Sequence, residues 1–434
     1  MVFIAKARSP SRGEHLNSLL QTRILPSFEI SRKRGGNRNK KSPGCQFGWK
    51  AGTNPDRALE AAFSLTFSAF RATIRPLKLK IKRKNIMQNT IRAGLSLLAL
   101  ACSSQLSHGL TFNFNRADGV TDEAYYGFVE AGNRWSELFF DPITVNIDVK
   151  FEPLGPGIIG GTDAAKFTGP FSAYKLLMQA DASSVADFTA VANLPGGTTV
   201  DALMNRTTKF GGTATPYLDN DGSHNNQIFV SSSAQLKALG FLAPNDPTVD
   251  ATISFSSSMP FDFNPSDGIS GSALDFVGMA THEIGHALGF FSNVDTRDFY
   301  AQLGNFSEDT AGREQSVMDF FRFSGTPGVS AQRDWTVGSA DKFFSIDNGA
   351  TSVGGMSTGI YFGDGRQASH WKDNLGIGIM DPTTSLGELL TISPTDILAL
   401  DVLGYNPVPE ANTIWAGFAF GALGLWQIRR RRSA

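Results

Sequence analysis

Cysteine is nearly absent from this chain of 434 residues, which contains only Cys45 and Cys102. Both precede Leu110, so a domain that begins near Leu110 has no cysteine and can form no disulfide. Such a domain must depend on its hydrophobic core, and a hydrophobic fraction of 41% is sufficient for one. A metal ion that binds only the folded state would add to its free energy of unfolding.

Acidic residues are scarce at the start of the chain. Residues 1–86 contain 19 Lys and Arg but only 4 Asp and Glu, whereas residues 87–434 contain 20 and 36. The basic segment lacks interleaved aromatic residues and any nucleic-acid motif, so we expect no nucleic-acid partner. We predict that it is a basic leader, either disordered or the product of a start site placed too early.

A signal-peptide pattern follows the basic leader. Met87 opens this segment, and Arg92 precedes the apolar run Leu95–Ala101. We predict a signal peptide over residues 87–109, with translation starting at Met87 and cleavage at the end of the segment. A degenerate lipobox that ends at Cys102 is the alternative. Either interpretation predicts an exported protein.

The spacing of apolar residues in the remaining chain predicts both helices and strands. We expect an α+β domain over residues 110–407. The predicted helices are Thr121–Phe140, Leu274–Phe290 and Ser393–Leu403, and a half-buried strand is predicted at Ile143–Phe151. Gly155–Asp250 is rich in Gly, Ser, Thr, Asn and Pro, which predicts long surface loops with a short strand at Gln227–Ser231 and a short helix at Ala234–Leu239.

The helix predicted over Leu274–Phe290, with Ser270 or Ser272 near its start, contains the sequence HEIGH. His282 and His286 are four residues apart, so both imidazoles project from one face and can bind one metal ion. Glu283 lies beside them, where a carboxylate can take a proton from an attacking water. This pattern predicts a hydrolytic zinc site with Glu283 as the general base.

The third metal ligand is not fixed by this motif. His370 is one candidate, and oxygen ligands from Asp295, Asp298 or Glu308 are rivals, with Glu308 22 residues beyond His286. His224 fits a polar turn better than a ligand. Asp219 with Asp221 is a weak candidate for a calcium loop.

The stretch HEIGHALGF resembles the metzincin zinc peptidases, whose helix ends at a glycine such as Gly289. Their third ligand normally occupies the position that is Ser292 here, and serine is a poor zinc ligand. The dipeptide His370–Trp371, followed by Met380 in GIMDPT, is similar to the leishmanolysin branch, where an insertion precedes the third histidine and a methionine turn. The resemblance implies a metzincin-like α+β fold with a twisted sheet, and zinc held by three histidines above the methionine. No tyrosine closely follows Met380, so a tyrosine electrophile is unsupported.

The end of the chain, Val408–Ala434, differs in composition from the rest. It contains Pro409–Glu410–Ala411, an apolar stretch at Ile414–Ile428 and four arginines at Arg429–Arg432. This order resembles the PEP-CTERM sorting tails of Gram-negative bacteria. The resemblance implies an exosortase-type partner, membrane insertion through a short transmembrane stretch, and delivery to the cell surface or outside the cell.

Together these patterns predict a secreted zinc metalloendopeptidase that hydrolyses peptide bonds with a zinc-activated water. We expect its peptide or protein substrate to pair with an edge strand near Ala251–Ser256, where the sequence ATISFS alternates. One alternative is a surface or matrix protein with a non-peptidase metal site. Another is a metal-assisted hydrolase of surface polymers.

Overall fold

The computed structural model describes residues 3–5, 109–305 and 312–409. The rest of the basic leader, the signal peptide up to residue 108, Glu308 and the sorting tail from residue 410 lie outside the described residues, so the predicted domain boundaries there stay predictions. Within the described ranges, no helix has both the length and the apolar character needed to cross a membrane.

Eight α-helices lie in the described part of the chain. In chain order they are α1 (Asp122–Ser136), α2 (Phe171–Asp181), α3 (Val185–Ala192), α4 (His224–Gln227), α5 (Ser233–Ala238), α6 (Phe276–Ala287), α7 (Val294–Gln302) and α8 (Pro394–Asp401). Two 3-10 helices accompany them at Pro265–Asp267 and Val317–Phe321.

Seventeen strands, most of them short, lie in the same ranges. They are β1 (Phe3–Ala5), β2 (Thr111–Arg116), β3 (Thr144–Glu152), β4 (Ile158–Ala164), β5 (Lys166–Pro170), β6 (Ala202–Met204), β7 (Tyr217–Asp219), β8 (Ile228–Ser232), β9 (Ala251–Ser256), β10 (Phe261–Asp262), β11 (Leu274–Asp275), β12 (Gln315–Ser316), β13 (Arg322–Ser324), β14 (Gln332–Arg333), β15 (Lys342–Phe344), β16 (Gly354–Met356) and β17 (Thr383–Thr384).

The main sheet has six strands in the order β17-β1-β4-β9-β3-β2. Strands β2, β3 and β9 are parallel, and β4 runs antiparallel to β9. At the other side of β4, β1 pairs antiparallel with β4 and parallel with β17. The smaller sheets include β12-β8-β5 and the antiparallel β14-β13-β15-β16. The predicted α+β class is therefore confirmed.

The predicted edge strand at Ala251–Ser256 is wrong in one respect. These residues do form a strand, β9, but they pair with β3 on one side and with β4 on the other. Alternation of apolar and polar residues indicates which face of a strand is buried, and contains no information about its lateral neighbours. On the other side of β4, the short strand β1 pairs with it only at Ile158 and Gly160.

Helix α1 agrees closely with its prediction. The Thr121 side chain caps it by accepting a hydrogen bond from the Ala124 amide (3.2 Å). Its buried face contacts α6, where the Trp135 indole N–H donates to the carbonyl of Thr281 (2.9 Å). The rings of Phe128 and Phe276 meet edge to face with centroids 5.1 Å apart. These contacts hold α6 against α1, and both helices also contact strands of the main sheet.

Helix α6 begins later than the sequence predicted. Asp275, and neither Ser270 nor Ser272, is its N-terminal cap, and its carboxylate accepts from the Gly278 amide (2.8 Å). At the other end, Gly289 has φ +115°, a conformation that favours glycine, and the chain turns sharply there.

The long loops expected over Gly155–Asp250 are only partly present. The short strand and short helix predicted there are confirmed as β8 and α5, but this region also contains β4, β5, α2 and α3. Strand β4 (IIGGTDA) was not predicted because its glycines and threonine are typical of loops. Gly160 is needed in this strand because the Phe255 ring lies against it, and a Cβ there would be 2.7 Å from that ring.

A buried ion pair joins α5 to the strands beside it, and we expect its removal to destabilise the fold. Lys237 Nζ lies 2.6 Å from Asp250 Oδ2, and both side chains are fully buried. Lys237→Met leaves the Asp250 carboxylate without its counter-charge, so the free energy of unfolding should fall by about 3–5 kcal/mol in urea titrations. The exposed pair Arg116–Asp122 is the control, and Arg116→Ala should change stability little. Equal effects of the two substitutions would contradict this prediction.

Candidate metal centre

Three histidines from two distant parts of the chain meet in the core. His282 and His286 lie one turn apart on α6, and His370 lies on the loop that follows β16. All three are buried, and their ligand nitrogens lie within 4.8 Å of one another. In the part of the chain that the structure describes, this is the group of His, Cys, Asp and Glu side chains that could hold a metal ion.

The outer nitrogen of each imidazole faces a backbone carbonyl. His282 Nδ1 lies 2.7 Å from the oxygen of Ile379, His286 Nδ1 2.7 Å from that of Phe290, and His370 Nδ1 3.3 Å from that of Gln367. A carbonyl oxygen can only accept, so each Nδ1 carries the proton and donates it. In a neutral imidazole the other nitrogen, Nε2, then has a free lone pair.

These lone pairs converge on one point. His370 Nε2 lies 3.2 Å from His282 Nε2 and 3.2 Å from His286 Nε2. No proton is available between them, so the contacts are repulsive unless a cation lies at the centre. Two imidazole nitrogens bound to tetrahedral zinc at 2.0–2.1 Å are about 3.3–3.4 Å apart. The donor set and these two separations are therefore compatible with a bound metal ion.

Burial keeps these imidazoles neutral. It lowers the pKa of His282 to about 3, and it lowers the pKa values of His286 and His370 well below the ordinary value, with mutual repulsion among the rings adding to the effect. A neutral imidazole is the form that binds a metal. The site is thus ready for a cation at neutral pH without losing protons first.

Glu283 is buried beside the histidines. Its Oε2 accepts a hydrogen bond from the Thr162 hydroxyl (2.6 Å), whereas its Oε1 has no hydrogen-bond partner among the described residues. Burial raises the pKa of this carboxyl to about 7, although the hydrogen bond from Thr162 opposes the shift. A carboxyl with such a pKa can both accept and return a proton near neutral pH.

Met380 lies against the metal-binding helix. A Cβ on Gly285 would be 2.6 Å from the Met380 sulfur, so the absence of a side chain at Gly285 lets the methionine approach α6 between the two histidines. The Trp371 amide donates to the carbonyl of Met380 (3.0 Å), which connects the loop that contains His370 to this turn.

Asp396, at the start of α8, connects these parts. Its buried carboxylate accepts from the Trp371 indole (2.8 Å) and from the Ile379 amide (2.8 Å). Ile379 is the residue whose carbonyl accepts from His282, so one side chain fixes the surroundings of two ligands. The helix predicted over Ser393–Leu403 is confirmed as α8, but nothing in the sequence indicated these further contacts.

The rival ligands have other roles. Asp295, on α7, accepts from the Ala368 amide (2.6 Å), the Ser369 amide (3.1 Å) and the Ser369 hydroxyl (2.5 Å). Asp298 accepts from the amides of Tyr361 and Phe362. Both carboxylates therefore hold the loop that returns to His370, and neither belongs to the group of converging ligand atoms.

Ser292 occupies a place close to the third ligand without being one. The Ser292 hydroxyl donates to Asp319 (2.5 Å). The Ser292 amide donates to the Ser369 hydroxyl (2.9 Å). Because Ser292 contacts Ser369, the neighbour of His370, the loop brings His370 back towards the end of α6. The remaining candidates lie in other contacts: His224 Nε2 is 2.9 Å from Glu314, and Asp219 accepts from Asn225 (2.6 Å).

No known protein family, curated protein or solved structure matches this chain. The interpretation of the site therefore depends on the geometry of its own residues.

We expect Asp295 to control metal affinity although it is not a ligand. Asp295→Asn places an amide group against three hydrogen-bond donors, which should loosen the loop before His370 and weaken zinc binding by about 10–100-fold in a chelator competition assay. Asp298→Asn, which affects a more distant part of the same loop, should bind zinc as the unchanged chain does. X-ray absorption that shows one fewer light-atom neighbour in Asp295→Asn would instead identify Asp295 as a ligand.

Proposed function

We propose that this protein is a zinc metalloendopeptidase. The observation that carries the proposal is the convergence of three unprotonated Nε2 atoms beside a buried glutamate that has one unpartnered oxygen. His282, His286 and His370 would hold the ion. When bound, zinc supplies Lewis acidity to a substrate carbonyl and lowers the pKa of water.

The protein's own groups account for the proton transfers of hydrolysis. Glu283 Oε1 is free to accept a proton from the attacking water, and the same carboxyl can then donate it to the leaving amine. Burial supports both steps, because it raises the pKa of Glu283 to about 7. The carbonyls of Ile379, Phe290 and Gln367 keep the three imidazoles oriented with Nε2 inward.

A slot for an extended peptide supports a peptide substrate. Strand β1 lies between β4 and β17, with Phe3 opposite Gly160 and Ile4 opposite Thr383. Strand β4 contacts the general base through Thr162, and β17 begins three residues after Met380. The two strand edges beside the site thus accept an inserted segment by backbone pairing, the way in which many peptidases and peptide-binding domains hold their ligands.

The ordered elements His282, Glu283, His286, His370 and Met380 support a metzincin-like enzyme of the leishmanolysin type. The supporting contact is the one between Met380 and Gly285 below the site. Export through the signal peptide, sorting by an exosortase-type enzyme and membrane attachment of the tail are part of the same proposal. They depend on sequence patterns outside the described residues.

A structural metal in a surface or matrix protein is the alternative. A structural zinc site normally has four protein ligands, and the group found in the described residues has three. In a purely structural site, a buried carboxylate normally has hydrogen-bond partners for both oxygens, whereas Glu283 Oε1 has none among the described residues. Both observations favour catalysis.

Metal analysis and substrate choice test the proposal together. The purified protein should contain one equivalent of zinc and hydrolyse casein, and it should lose both with phenanthroline and regain both with added zinc. Hydrolysis of a surface polysaccharide without hydrolysis of casein would indicate a different metal-assisted hydrolase. Bound zinc with neither activity would favour the structural alternative.

A further inference from the structure

Thr162 contacts the general base from a strand 121 residues earlier in the chain. Its hydroxyl lies 2.6 Å from Glu283 Oε2 and 2.9 Å from the backbone oxygen of Glu283. The side chain is buried, and its backbone pairs with Ile253 in the register of β4 and β9. The sheet therefore fixes the position of this hydroxyl relative to α6.

Side chains alternate between the two faces of β4, so Thr162 faces α6 and its neighbours in the strand do not. Its neighbour Asp163 is exposed, whereas Thr162 points to the helix. A hydroxyl has one proton to donate, and the shorter contact is to Oε2. The carboxylate of Glu283 is thus held by one oxygen, and the other oxygen remains without a partner among the described residues.

We propose that Thr162 is a positioning residue that fixes the rotation of the Glu283 carboxylate so that Oε1 is the oxygen that accepts the proton. This inference rests on the proposed function of the site. Without the hydroxyl, the carboxylate can rotate among several orientations, and only a fraction of them presents an oxygen to the reacting water. Small errors in the placement of a catalytic group reduce turnover strongly.

Strand β4 would then have two roles in one reaction. Its backbone offers the edge along which an extended peptide pairs, as β1 does, and its Thr162 side chain orients the base. Residues that bind substrate and residues that orient the base are therefore parts of one rigid strand. A shift of β4 along α6 would displace both together.

The test compares Thr162→Val, which keeps the shape but has no hydroxyl, with Thr162→Ser, which keeps the hydroxyl. Zinc content should be unchanged in both variants. We expect kcat for peptide hydrolysis to fall on the order of 10–100-fold in Thr162→Val with KM nearly unchanged, and to recover most of the loss in Thr162→Ser. In a chain that already contains Glu283→Gln, Thr162→Val should cause no further loss.

Several results would overturn the inference. These are full turnover in Thr162→Val, equal impairment of the valine and serine variants, or an undiminished effect of Thr162→Val in the Glu283→Gln chain. If the unsubstituted, zinc-loaded chain leaves peptides intact, the proposed function fails instead. The contact is then tested by urea unfolding of four chains, which are the unsubstituted chain, Thr162→Val, Glu283→Ala and the double variant. Additive shifts of the midpoint would show that Thr162 and Glu283 are not coupled.

Discussion

Glu283→Gln is expected to lower kcat for peptide hydrolysis by about 10²–10⁴-fold while the bound zinc remains. Glutamine has nearly the same shape as glutamate, so the contact with the Thr162 hydroxyl can persist at the amide oxygen. It cannot accept and return a proton, however, and the carboxyl of Glu283 is the buried acid next to the histidines. Binding of peptide should change little, because the amide removes no part of the slot between β4 and β17.

The measurement for Glu283→Gln combines zinc content by mass spectrometry with steady-state kinetics on a fluorogenic peptide. Glu123→Gln, an exposed glutamate on α1, is the matched control and should leave both quantities unchanged. Turnover close to that of the unsubstituted chain would show that another group accepts the proton. Loss of zinc in the glutamine variant would mean that the carboxylate is needed to hold the ion.

His370→Ala should remove both zinc and activity. The ligand lies 84 residues beyond His286, but the cost of closing a loop grows only by about 0.6 kcal/mol for each doubling of its length. A structural zinc ion contributes on the order of 10 kcal/mol, so the insertion is readily tolerated. Alanine deletes one of three converging nitrogens, and a site with two remaining histidines should bind zinc much more weakly.

Two control variants, each of which replaces another possible ligand by alanine, are compared with His370→Ala. His224→Ala removes a half-exposed histidine paired with Glu314 and should keep the zinc. Glu308→Ala, at the spacing of a different class of zinc peptidase, should also keep it. Zinc retained in His370→Ala but lost in Glu308→Ala would refute the three-histidine site and favour a carboxylate ligand.

The sequence was informative where chemistry is local. Four-residue spacing placed His282 and His286 on one face of a helix, and the spacing of apolar residues predicted the helix over Ser393–Leu403 that forms α8. The third histidine followed from a resemblance of a few residues, and the structure brings it to the same point. The helices and the proximity of the three histidines could be predicted because each depends on neighbours within a helical turn or on a short motif.

The sequence did not indicate which strands pair with one another or which distant segments come into contact. Alternation in Ala251–Ser256 predicted a strand correctly, yet its two-sided pairing makes it an inner strand. Thr162 contacts Glu283, and Asp396 supports Trp371, through pairings of distant segments that leave no local pattern. Asp295 was a candidate ligand because its carboxylate follows the metal-binding motif closely in sequence. In the folded protein this carboxylate instead accepts hydrogen bonds from the loop before His370, for example from the Ala368 amide.

If the slot between β4 and β17 binds substrate, as we propose, strand β1 is a resident competitor for that slot. A segment tethered to the enzyme acts at an effective concentration that dilution does not change, often in the millimolar range for a suitable linker. A peptide must displace its pairing with Gly160 and Thr383 before it can enter. A chain that starts at Met87, or one cut after Gly109, lacks this competitor. Removal of β1 would then leave both strand edges open to an extended peptide.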